Sequence, residues 1–201
     1  MKKIYIGIYV MMSSLLYACM PVPSSDTKRY QLTSVGRVTA VKSAHHKSIL
    51  VMQPSSTVGY DTEQMLYVNQ PYQIGVFADN SWMSPPATML FPLMASSLES
   101  SHYFYAVASD PNVSKTDYRL ESELIRLHQN FLVKPSQIEL VMQVILIHGA
   151  DNRVIATETI YERVPCPTDN PLGGVIAANQ ATSKLTRRVT HFVIDKIKHD
   201  R

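Results

Sequence analysis

The sequence predicts an α/β domain: a mixed, largely antiparallel sheet with two main helices packed on it, behind a signal peptide and a flexible tether. Three observations lead there. Apolar residues alternate along Ile138–Leu146, and a second strand pattern follows after a Gly-Ala-Asp-Asn turn. Two other segments, near 85–99 and from about 171 onward, repeat apolar residues at helical spacing. The first 18 residues have the order of a secretory leader.

Met1-Lys2-Lys3 is a short positive start, and Ile4 to Leu16 is uncharged and mostly aliphatic. A bilayer span needs roughly 20 apolar residues, and this run stops short at Ala18-Cys19. Pro21, Pro23, Ser24, Ser25 and Asp26 follow at once and read as an extended tether. The boundaries are therefore 1–18 for the signal peptide, 19–28 for the tether and 29–201 for the folded domain. Leu16-Tyr17-Ala18-Cys19 resembles a bacterial lipobox, with Tyr17 bulkier than usual at its position. The resemblance implies cleavage between Ala18 and Cys19 and a covalent lipid on the Cys19 sulfur. One acyl chain holds a protein only marginally, at about 0.8 kcal/mol per buried methylene, whereas several anchor it firmly. By analogy with enterobacterial sorting, Met20 in place of Asp implies the periplasmic face of the outer membrane in a Gram-negative cell.

Within the domain, Tyr30-Gln31-Leu32 can begin a strand and Ser48 to Met52 reads as a short buried one. Met65–Val68 and Tyr72–Ala78 flank Asn69-Gln70-Pro71 as a hairpin. Ser84-Pro85-Pro86 reads as an N-cap with proline in the first turn, and Met89, Leu90, Leu93, Met94 and Leu98 continue a helix. Phe104–Ala108 returns to strand. Tyr118 to Phe131 is ambiguous: Leu120, Leu124, Leu127, His128 and Phe131 fit a helix, while Tyr118, Leu120, Ser122 and Leu124 alternate. Ile138 to Ile147 is apolar on both faces, which suits a strand inside a covered sheet, and Val154–Tyr161 runs back beside it. Three antiparallel strands are the simplest account. Asn170-Pro171 can start the last helix, although Gly173 and Gly174 weaken its first turn. Val175, Ala178, Ala181, Leu185, Val189, Phe192, Val193 and Ile197 form its stripe.

Taken in order, these features resemble the ABC-type transport auxiliary lipoprotein family, the PqiC/YmbA group. The resemblance rests on the lipobox, Tyr30-Gln31-Leu32, the Met65–Leu90 block with Tyr72, Trp82 and Pro85-Pro86, Asp117–Leu120, the strand pair, and Ala177–Leu185. It implies an α/β sandwich and resolves 117–131 as strand. It also implies a non-enzymatic partner of an MCE-domain protein and an ABC-type permease in lipid transport between membranes, with ring-like homo-oligomers in some members. Two other classes stay open: a lipoprotein that holds a lipid or other small ligand itself, and a structural lipoprotein of a secretion machine.

Other chemistry is weak. The chain has 19 Lys and Arg against 16 Asp and Glu. Removing Lys2 and Lys3 leaves 17 against 16, with no basic cluster for nucleic acid. Trp82 has two readings, a partner contact or packing onto the helix start. Adjacent His45 and His46 point to opposite sides of an extended chain, so no metal site is expected. Cys166 lacks a local base, and no hydrolase, Walker or zincin motif occurs. No catalytic residue and no cofactor beyond the Cys19 lipid are expected.

Overall fold

The computed structural model describes residues 26–38, 47–110, 112 and 115–200. Ala18, Cys19, His45 and His46 lie outside the described residues. In chain order the elements are β1 (Lys28–Tyr30), β2 (Ser48–Val51), β3 (Ser55–Ser56), β4 (Gln64–Gln70), β5 (Gln73–Trp82), α1 (Pro86–Ser100), β6 (Ala106–Ala108), β7 (Tyr118–Asn130), β8 (Gln137–His148), β9 (Val154–Pro165) and α2 (Pro171–His199).

Strand β7 is the spine of a single mixed sheet. One of its edges pairs with β8 antiparallel, and β8 pairs with β9 antiparallel, giving the expected meander. Its other edge takes β2, β3 and β4 in succession, all parallel to it. Beyond these, β6 joins β2, β5 joins β4 and β1 joins β5. The ambiguous segment 118–131 is thus strand, and its mixed period has a physical cause. The register with β8 slips between Leu124 and Arg126. A bulge of this kind swaps the faces, so Tyr118, Leu120 and Leu124 face the core before it and Leu127 and Gln129 after it. The resulting three-residue step from Leu124 to Leu127 imitates a helix.

Both helices cover one face of the sheet. α2 lies on β8 and β9 and against α1, which also touches β2, β6 and β7. Ile138, Leu140, Met142, Val144 and Leu146 of β8 meet α2's apolar stripe in one core. Burying each such side chain contributes about 1.5–3 kcal/mol. The sequence suggested cover on both sides of β8. The second face carries no helix among the described residues; there Val141 lies between Arg126 and Tyr161 of the flanking strands.

Helix α2 starts at Pro171, not later. The Asn170 side chain accepts the Gly173 N–H at 2.8 Å, and Gly174 sits where a Cβ would come within 2.4 Å of the buried Gln129 Oε1. Close packing, not chain freedom, explains that glycine. Helix α1 corrects another expectation: Pro85, not Ser84, is its N-cap residue, and no side chain caps it. Residues 31–38 then cross α2 as a strap. Asn179 Oδ1 accepts the Thr33 N–H at 2.8 Å, Thr186 Oγ1 accepts the Gly36 N–H at 2.8 Å, and Ser97 of α1 lies 2.8 Å from Thr190 of α2. A second stripe of α2, Thr182, Thr186 and Thr190, is therefore buried although polar.

Candidate functional site

The helix-free face carries a cluster of ionisable side chains that the bulge in β7 creates. After the register slip, Arg126 and His128 turn outward, and His128 stands directly across from Glu139 of β8. A carboxylate on a half-covered sheet face must find donors or lose its charge. Glu139 finds several. Its Oε2 accepts from Arg126 Nη1 at 3.0 Å and its Oε1 accepts from Asn130 Nδ2 at 3.0 Å. Arg163 of β9 adds a contact at 3.7 Å. Burial alone would raise this carboxyl, but the hydrogen bonds from Asn130 and Arg126 and the nearby charges outweigh it and hold Glu139 below the usual carboxylate range.

His128 is the neutral member. Burial pushes it down to about 4, against the opposing pull of Glu139 and with help from the Arg126 charge. Its Nε2 lies 3.6 Å from Glu139 Oε2 and its Nδ1 3.0 Å from the Tyr60 hydroxyl. A proton on Nε2 fits both neighbours, because the Tyr60 hydroxyl can then donate to Nδ1. Burial also raises the Tyr60 hydroxyl above its ordinary range. These groups line an open trough of about 340 Å3 whose other walls include Val68, Ile74 and Leu132. A second trough, of about 280 Å3, lies along the same face between Met52, Ser55, Glu121 and Gln143. The cluster thus presents fixed charges and a phenol hydroxyl to the trough.

The residues singled out in the sequence do not meet here. Trp82 closes β5, is 3 % exposed and belongs to the core that also holds Leu32, Met65 and Ala87. Burial pushes the Cys166 thiol up, and its backbone N–H bonds Ser136 O at 2.7 Å. That thiol is free and buried. Among the described residues, no three His, Cys, Asp or Glu side chains form a group that could hold a metal. Sequence reasoning missed the His128–Glu139 cluster because its members are brought together only by strand register. The one usable signal was Glu139 inside an otherwise apolar strand.

Residues 30–190 match the family model described as ABC-type transport auxiliary lipoprotein component. Among solved structures, the chain is similar to protein XCC0632 from Xanthomonas campestris, of family DUF330, at 22 % identity and a TM-score of 0.76, over 86 % of this chain and 98 % of that one. An uncharacterised protein matches at 16 % identity and a TM-score of 0.67, over 83 % and 98 %. The hypothetical protein CT253 from Chlamydia trachomatis matches at 11 % and 0.50, over 74 % and 98 %. At such identities these structures speak for the fold. No curated protein matches the chain in sequence.

Proposed function

The chain belongs to the ABC-type transport auxiliary lipoprotein family, and from that premise we propose that it is an outer-membrane-anchored, non-enzymatic component of an MCE/ABC-type system moving lipid between the two membranes. The observation that carries this reading is the extent of the family match, residues 30–190, which takes in β2 to β9, α1 and most of α2. The lipobox-like Leu16-Tyr17-Ala18-Cys19 supports anchoring at Cys19. The two troughs on the helix-free face are open and partly charged, which suits a surface for a macromolecule better than an enclosed small-ligand pocket. In this reading the acyl chains on Cys19 hold the domain at the membrane, and the domain holds the far end of the transporter there.

Affinity capture of the tagged, lipidated chain from detergent-solubilised envelopes tests it, with the captured proteins identified by mass spectrometry. An MCE-domain protein should be enriched over an unrelated outer-membrane lipoprotein bait. An abundant, intact bait that enriches none contradicts the transport role. Capture of secretion-machine subunits instead would assign the chain to a structural part of that machine.

A further inference from the structure

Exposed apolar side chains occur at both ends of the sheet, Tyr105 and Val154 at one and a larger group at the other. At the end where β7 passes into β8, three separate connections expose large apolar side chains. The β4–β5 hairpin turns through Pro71 and Tyr72, since Gln70 pairs with Gln73. Tyr72 takes φ 66 there and is fully exposed. Proline fixes the first turn residue near −65°, and a left-handed second residue completes a type II turn, a position that disfavours a bulky side chain. Ile74 is exposed on the same hairpin, and Leu132 and Val133 are exposed in the β7–β8 connection. The Phe131 N–H bonds Val68 O at 2.7 Å, so hairpin and connection advance side by side. Leu172, exposed at the start of α2, completes the group.

This end is rigidly built. Asp169, just before α2, accepts the Ser136 N–H at 2.7 Å and pairs with Lys134 at 3.0 Å. Behind the tips, Tyr67, Phe77 and Phe131 stack with ring centroids 4.7–6.3 Å apart. Tyr72 and Leu132 are therefore carried outward on a packed base, with a lysine at their rim.

The chain's own direction says what lies opposite. β1 runs parallel to β5, with Lys28 beside Asn80 and Tyr30 beside Trp82. Through β1 the chain therefore runs in the direction of β5, away from the Gln73 end that bears Tyr72. From Asn80 back to Gln73 is about 23 Å at strand rise. The nine steps from Cys19 to Lys28 span at most about 30 Å when extended. That length is enough for an anchor at Cys19 to reach just past the Tyr72 tip.

We infer that the end bearing Tyr72, Ile74, Leu132, Val133 and Leu172 is a membrane-contact surface, seated in the interfacial region of the same lipid leaflet that holds Cys19. The inference rests on the Cys19 anchor of the proposed function. Tyrosine suits the interface, with an apolar ring and a hydroxyl for the headgroups. Lys134 at the rim can keep its ammonium in the headgroup layer. The acyl chains prevent escape, and the tips fix which end faces the bilayer.

The test uses the full, lipidated chain in vesicles of phosphatidylethanolamine and phosphatidylglycerol, with and without brominated acyl chains. Tyr72→Trp and Leu132→Trp each add one exposed indole, and Val154→Trp adds one at the opposite end of the sheet, where Val154 is exposed. After subtraction of the wild-type signal, the indoles at 72 and 132 should be clearly dimmer with brominated lipid, because a tryptophan at headgroup level lies next to the acyl chains. The indole at 154 should lose little. Equal emission with both lipids at 72 and 132, in protein that floats with the vesicles, overturns the membrane contact and leaves the anchor intact. Failure of the wild-type chain to float removes the anchor and this placement together.

Discussion

Acidifying the protein from pH 7.5 to pH 5 should destabilise it through one side chain. His128 is buried and held at about 4, whereas its ordinary value is 6.5. Between those values the unfolded chain binds a proton that the folded chain refuses. Stability therefore falls as pH drops through 6.5 and this contribution levels off below 4. Each pKa unit is worth about 1.4 kcal/mol, so the full loss is about 3 kcal/mol, and about 2 kcal/mol has gone by pH 5. Glu139 is depressed below 4.5, so its own contribution is present above that pH and is lost only as pH falls through its lower folded value. The window from 6.5 to 5 thus reports His128 and not its carboxylate partner. Urea unfolding of wild type and His128→Gln across that window measures the difference. The two stability curves should converge as pH falls, by about 2 kcal/mol at pH 5. Parallel curves would refute a buried neutral imidazole and the packing drawn around it.

Three further outcomes follow from the geometry. Gly36→Ala places a Cβ within 2.1 Å of Ser183 O and should cost about 1–3 kcal/mol in urea unfolding as the strap lifts off α2. Asn170→Ala removes the acceptor for the Gly173 N–H and should cost about 1 kcal/mol, read as a lower thermal midpoint with unchanged folded-state circular dichroism. Cys166, buried with its thiol pushed up, should react with a thiol reagent far more slowly in the folded chain than in urea; equal rates would contradict its burial.

Legibility from sequence followed how local each signal was. The alternation of Ile138, Leu140, Met142, Val144 and Leu146 and the stripe of α2 were readable because each needs only its own segment, and all these side chains pack in the core. The turn at Pro71-Tyr72 begins two residues later and ends one residue later than expected, because Tyr72 takes a left-handed conformation that glycine or asparagine usually supplies. The parallel pairing of β2, β3 and β4 along one edge of β7 had no local signature, since parallel partners lie far apart in sequence. The buried threonine face of α2 was invisible for a similar reason: Thr182, Thr186 and Thr190 read as polar until the strap and α1 cover them. The His128–Glu139 site required the bulge, and a bulge erases the period by which a strand is recognised.

The proposed lipid anchor at Cys19 underlies both the transport role and the membrane-contact surface. Mass spectrometry of the N-terminal peptide of the protein purified from envelopes addresses this directly. The expected product is a mature chain that begins at Cys19 and bears a diacylglyceryl thioether and an amide-linked acyl group. A free thiol at Cys19, or a mature product that keeps residues 1–18, would contradict it.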